Sequence, residues 1–165
     1  MADGRPGETE EERADRNFTD LLQELRVAQT GIQILFAFLL TIPLQARFEE
    51  LTEWQVDVFV AALLFSALAT ACLIAPVAYH RVLFRLRLKE VVVRTASRFA
   101  VAGLVFLGLA VVSSVHLVLD IVLHRVAAVW VSGGLAVLLL LLWWILPLSR
   151  RAQRRREQVE EDLSA

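Results

Sequence analysis

The chain has 165 residues, 57% of them hydrophobic, with 17 basic and 18 acidic residues and a formal net charge of −1. Soluble domains are about 45–50% apolar, so this composition excludes an ordinary water-soluble fold, and the polar segments are too short to bury a core of their own. The near-balance of charge hides a segregation along the chain that sets its topology.

Four apolar stretches lie at about 27–44, 56–79, 99–119 and 126–148. Each is roughly 18–24 residues, the length that crosses ~30 Å of hydrocarbon as a helix. The expected fold class is all-α: an integral-membrane, four-helix antiparallel bundle with an amphipathic N-terminal helix extension and disordered polar tails. The expected organisation is an acidic tail over 1–16, a four-span transmembrane domain over 17–149, and a tail over 150–165 that is Arg-rich and then acidic.

Residues 2–16 carry no large apolar side chain. Such a segment cannot offset its ordering entropy by burial, so disorder is expected there. No cleavable signal peptide is visible before the first apolar run. Asn17 reads as a helix N-cap with Asp20 three residues on. Phe18, Leu21, Leu22 and Leu25 then form one apolar stripe.

Span one is the most polar. Arg26, Thr30, Gln33, Ala37 and Thr41 recur at helical spacing, with Gln29 beside them. Polar groups in hydrocarbon need partners. This face is therefore expected to look into the bundle, with Gln29, Thr30 and Gln33 either lining a polar path or hydrogen-bonding neighbouring helices. Pro43 is placed to stop the helix.

In span two, Ala67, Ala71 and Ala75 follow each other at i+4, a row that lets a neighbouring helix approach closely. Pro76 removes one backbone donor and frees the Cys72 carbonyl. Cys72, the single cysteine, reads as a small packing residue. Residues 80–98 mix Arg with Val, Leu and Phe and are expected to be helical extensions whose arginines snorkel to the headgroups.

Span three places Ser113, His116 and Asp120 on one face. Span four holds AVLLLLLWWILPL, so it is expected to be the most lipid-exposed, with Trp143 and Trp144 at an interface and Pro147 ending it. No internal repeat relates residues 27–79 to 98–148.

Basic residues near span ends favour the cytoplasm. The N-terminal segment, the loop between spans two and three, and the C-terminal tail hold fifteen (4, 6 and 5). The other two loops hold only Arg47 and Arg125. Both termini are thus expected to be cytoplasmic, which requires an even number of spans.

Chemistry is sparsely signalled. Glu53, Asp57, His116 and Asp120, with His124, fall near the outer span ends and form a candidate proton or cation site. A histidine beside a carboxylate changes charge between about pH 5 and 8. The alternative is ordinary interfacial groups satisfied by water and headgroups. Arg150, Arg151, Arg154, Arg155 and Arg156 offer a contact for anionic lipid, or act simply as an orientation signal. No phosphate loop, HExxH pair, GxSxG elbow or CxxC pair occurs. The expectation is therefore no catalytic residue, no cofactor and no resident metal. The expected partners are the lipid bilayer and a further copy of the chain in a homo-oligomer. Nucleic acid is not expected, because no folded module presents the arginines.

The segments NFTDLLQELRVAQTGIQILFAFLLTIP and LIAPVAYHRVLFR resemble a family of small four-span membrane proteins of high-GC Gram-positive bacteria. The likeness runs from about Asp15 to Arg151. It implies a multi-pass protein of the bacterial plasma membrane and carries no established activity. Some members bear the label sodium:proton antiporter. Two readings follow: a non-enzymatic interaction or membrane-homeostasis component, or a small oligomeric cation or proton transporter.

Overall fold

A computed structural model describes residues 9–83, 89–150 and 153–154. Among these the chain is helical apart from short turns, with no strand. Helix α1 spans Glu10–Thr41, α2 Glu53–Leu83, α3 Lys89–Val122 and α4 Arg125–Leu140. Four segments are long and apolar enough to cross a membrane: Leu22–Leu44, Glu53–Tyr79, Thr95–Val122 and Arg125–Arg150.

Local chemistry explains the ends. Helix α1 starts at Glu10, seven residues before the expected cap at Asn17, because Thr9 provides a complete capping box. Thr9 Oγ1 accepts from the Glu12 N–H at 3.3 Å, and the Glu12 carboxylate accepts from the Thr9 N–H at 2.9 Å. Helix therefore occupies residues 10–16, which the composition alone assigns to a disordered tail. At the other end Thr41 Oγ1 donates to the Phe38 carbonyl at 2.7 Å. The chain then tightens into two 3₁₀ turns, Ile42–Leu44 and Ala46–Glu50. Pro43, in the first of these, cannot continue the α-helical ladder.

A second reciprocal cap opens α2. Thr52 N–H donates to the Gln55 side-chain oxygen at 3.0 Å, and Gln55 N–H donates to Thr52 Oγ1 at 3.4 Å. The intervening loop is held down by Phe48, whose ring meets Phe59 edge-on at 5.4 Å. Helix α2 passes through Pro76, which is fully buried.

The chain forms two compact units, residues 1–114 and 115–165. In the first, three helices bury seams with a repeat of 3.5 residues. On α1 the seam is Leu25, Ala28, Ile32, Leu35 and Leu39. On α2 it is Phe59, Ala62, Ser66, Ala69, Leu73 and Pro76. On α3 it is Ala96, Ala100, Gly103, Leu107 and Ala110. Alternating steps of three and four keep a seam on one side of a helix, the pattern of left-handed packing. Leu73 is fully buried, and a Cβ placed on Gly103 would lie 2.6 Å from its Cδ2. Phe65 stacks on Phe106 at 6.3 Å.

The second unit joins the end of α3 to α4 through a turn at His124, whose backbone is extended. Its buried residues include Leu117, Ala128 and Ser132. The fourth span does not stop at Pro147. A π-helical turn, Leu141–Ile145, precedes the proline, with the Leu146 N–H bonded to the Leu141 carbonyl five residues back. Helix resumes through Arg150. Pro147 brings no N–H and its ring crowds the carbonyl four residues earlier.

The distribution of side chains is inverted relative to a soluble bundle. Alanine, serine and glycine fill much of the interior, while Val27, Leu44 and Trp130 are 78%, 84% and 77% exposed. Among the spans α2 is the most enclosed, with 28% of its window buried against 11% for α1 and for α4.

Candidate functional site

Two places bring polar side chains into the packed interior. The first is where α1, α2 and α3 meet around Leu73. Gln29 Nε2 donates to the Leu73 carbonyl at 2.7 Å. Pro76, three residues on, takes out of the α2 ladder the donor that would meet the Cys72 carbonyl, one residue before the carbonyl that Gln29 reaches. The other interior hydroxyls bond within their own helix. Ser66 Oγ donates to the Ala62 carbonyl and Thr70 Oγ1 to the Ser66 carbonyl, both at 2.8 Å. Among the described residues no buried side-chain nitrogen or oxygen lacks a partner.

The rest of the polar stripe on α1 lies elsewhere. Arg26, Thr30, Gln33, Ala37 and Thr41 are all exposed, and only Gln29 reaches the interior. The apolar seam from Leu25 to Leu39 takes the inward side. By 100° per residue the stripe lies well away from that seam. Thr30 Oγ1 bonds to its own helix, at the Arg26 carbonyl.

The second place is in the second unit. His116 Nδ1 lies 2.9 Å from Ser132 Oγ, and the same Oγ lies 2.7 Å from the Ala128 carbonyl. A hydroxyl has one proton, and a carbonyl oxygen can only accept. Were that proton given to the imidazole, two acceptor oxygens would face each other at 2.7 Å. The serine therefore donates to Ala128, and His116 Nδ1–H donates to the serine. In the neutral tautomer that carries this proton, Nε2 is the acceptor nitrogen. Burial of Ser132 keeps this chain of donors in register.

Of the outer residues, Asp120 follows His116 by one helical turn and is half-buried, while His124 and Arg125 are exposed at the turn. Glu53 and Asp57 are exposed and belong to the first unit. Among the described residues, no three His, Cys, Asp or Glu side chains are placed to hold a metal ion. Ala67 and Ala75 are half-buried and Ala71 is exposed, and by 100° per residue this row lies on the side of α2 away from its buried seam. Arg150 and Arg154 are exposed. Arg151, Arg155 and Arg156 lie outside the described residues.

Two features had no distinct sequence signal. The seam at Ala62, Ser66 and Ala69 becomes visible only when a 3.5 repeat is sought in place of an i+4 row. Ser132 looks like one more small residue before Gly133 and Gly134.

Residues 7–147 match a protein family described as a family of unknown function, DUF6328. The match covers most of the chain, which therefore belongs to that family. No curated protein and no solved structure matches it.

Proposed function

We propose that the chain is a multi-pass plasma-membrane protein with four spans and both termini in the cytoplasm. On this reading it acts by association within the bilayer, as an interaction or membrane-homeostasis component, without catalysis. The inverted packing carries the reading. Small side chains fill the interior, and every buried polar side-chain atom among the described residues has a partner. Meanwhile Val27, Leu44 and Trp130 face outward. Lipid is the solvent that accepts such a surface, and close contact between small residues is how spans associate there. The fifteen-to-two division of basic residues supports the orientation.

The test is topology mapping in cells, with a reporter fused at either terminus or inserted after Gln45 or after His124. Alkali-resistant membrane association, inward termini and outward loops are expected. Extraction by alkali, or an outward terminus, would overturn the reading.

A second reading, a cation or proton transporter, is favoured by one observation: the donor chain from His116 through Ser132 leaves Nε2 of the neutral ring as an acceptor. On this reading liposomes with the purified chain show pH-dependent ion flux that His116→Ala abolishes. Flux that survives the substitution removes His116 from the path. No flux from folded, inserted protein across pH 6–9 removes transport.

A further inference from the structure

The span Leu22–Leu44 has its midpoint at Gln33, eleven residues from either end. Gln33 is exposed, and no hydrogen bond joins its side chain to any described residue. The membrane-spanning reading sets this amide about 16 Å from each boundary at 1.5 Å per residue, in the middle of the hydrocarbon. An amide there demands a hydrogen-bonding partner that lipid cannot supply.

From this we infer that the Gln33 face of α1 is a contact surface for a second copy of the same chain. The inference rests on the membrane reading above. Three observations select this occupant. The carboxamide carries both a donor and an acceptor, so one copy of Gln33 satisfies another in a reciprocal pair. Copies of one chain insert in the same orientation, so both amides sit at the same depth, a match an unrelated span has no reason to offer. One flank of Gln33 is also small: Thr30 and Ala37 lie about 60° and 40° from it by 100° per residue, while the exposed Leu40 lies about 20° to its other side, two turns further along. Bulky Ile34 and Phe38, both exposed, lie at about 100° and 140°.

Arg26 shares the stripe but does not oppose the pairing. It lies about 10 Å nearer the inner boundary than Gln33. Two helices crossing near Gln33 at the ~40° angle common for small-residue contacts diverge towards that end, and each guanidinium can reach a headgroup.

The chain's single cysteine makes the test direct. In a Cys72→Ser background, cysteine is placed at Ala37, on the stripe, or at Phe38, off it, leaving Gln33 intact. Membranes are then oxidised and disulfide-linked species measured. Ala37→Cys is expected to give a linked species of twice the chain mass, far above Phe38→Cys. Adding Gln33→Leu should lower the linked fraction as a roughly tenfold loss of association would, and Gln33→Asn should restore part of it.

Equal linkage at both positions overturns the inference, as does linkage indifferent to Gln33→Leu. An adduct of any other mass means a different partner and overturns it too. Alkali extraction of the same membranes separates the two failures. Extractable protein overturns the membrane reading and this inference with it, whereas inserted protein that does not link overturns the inference alone.

Discussion

The side-chain amide of Gln29 donates to the backbone carbonyl of Leu73 at 2.7 Å, tying α1 to α2 across forty-four residues of sequence. The same Leu73 offers its side chain to Gly103 of α3. One residue thus meets both neighbouring helices, its carbonyl bonded to α1 and its side chain set against α3.

Replacing Gln29 with Leu keeps the bulk and removes the donor. Interhelical hydrogen bonds in membranes are worth about 0.6–2 kcal/mol. The expected outcome is a loss in that range, read as a lower midpoint of unfolding in nanodiscs. Unchanged stability would mean that the Leu73 carbonyl is satisfied without Gln29.

Gly103→Ala puts a methyl group 2.6 Å from Leu73 Cδ2 and 2.7 Å from its Cγ. Leu73 is fully buried and has little room to retreat, so overpacking should cost about 1–3 kcal/mol. Leu73→Ala in the same chain should relieve part of the clash, giving a double variant less damaged than the sum of the two. Gly133→Ala is the control. Nothing lies within 4 Å of a Cβ there, and that variant is expected to be neutral or slightly more stable. Equal effects at both glycines would refute the Leu73 contact.

Ser132→Ala removes the acceptor of the His116 Nδ1–H. In the native chain, nitrogen NMR of labelled histidine should show the neutral ring of His116 protonated at Nδ1. In the variant the proton is expected to redistribute to Nε2, with a stability loss of about 1–3 kcal/mol if the donor stays buried. A native ring protonated at Nε2 would contradict the deduced direction of the hydrogen bonds.

The cap at the start of α1 is sensitive to acid. The Thr9 backbone N–H and then its hydroxyl hold the Glu12 carboxyl below its ordinary value of 4.5. A lowered folded value means that the cap's contribution is fully present above about pH 4.5 and is lost as pH falls through the lower folded value. Protection of the Glu12 amide, taken relative to its intrinsic exchange rate at each pH, should fall over that acidic window. Glu12→Gln, which has no carboxyl to protonate, should lose the acid dependence. An acid response that survives Glu12→Gln would place its cause elsewhere.

Four spans were legible because length and apolarity report directly on crossing a bilayer, and a helix interior has no competing way to satisfy its backbone there. The face that each span buries was harder. On α1 a polar stripe and an apolar seam both recur at helical spacing, and partner need alone points the polar one inward. The seam instead takes the interior, and only Gln29, at its edge, is drawn in. On α2 the row Ala67, Ala71 and Ala75 is conspicuous, but steps of four drift about 40° each time. The alternating steps through Ala62, Ser66, Ala69 and Leu73 hold one direction. His116 was visible as an ionisable group within a span. Its partner Ser132 was not, because sixteen residues of separation across a turn leave no pattern to find.

The π turn before Pro147 gives α4 one residue more than its turns require. A one-residue deletion anywhere in 141–145 can therefore be absorbed as an ordinary α turn, leaving the helix on either side in phase with its surroundings. The same deletion between Ala128 and Ser132 has no such slack. It would turn one flank of the helix by about 100° relative to the other and carry Ser132 away from His116. The length of this last span is thus negotiable at one end and fixed at the other.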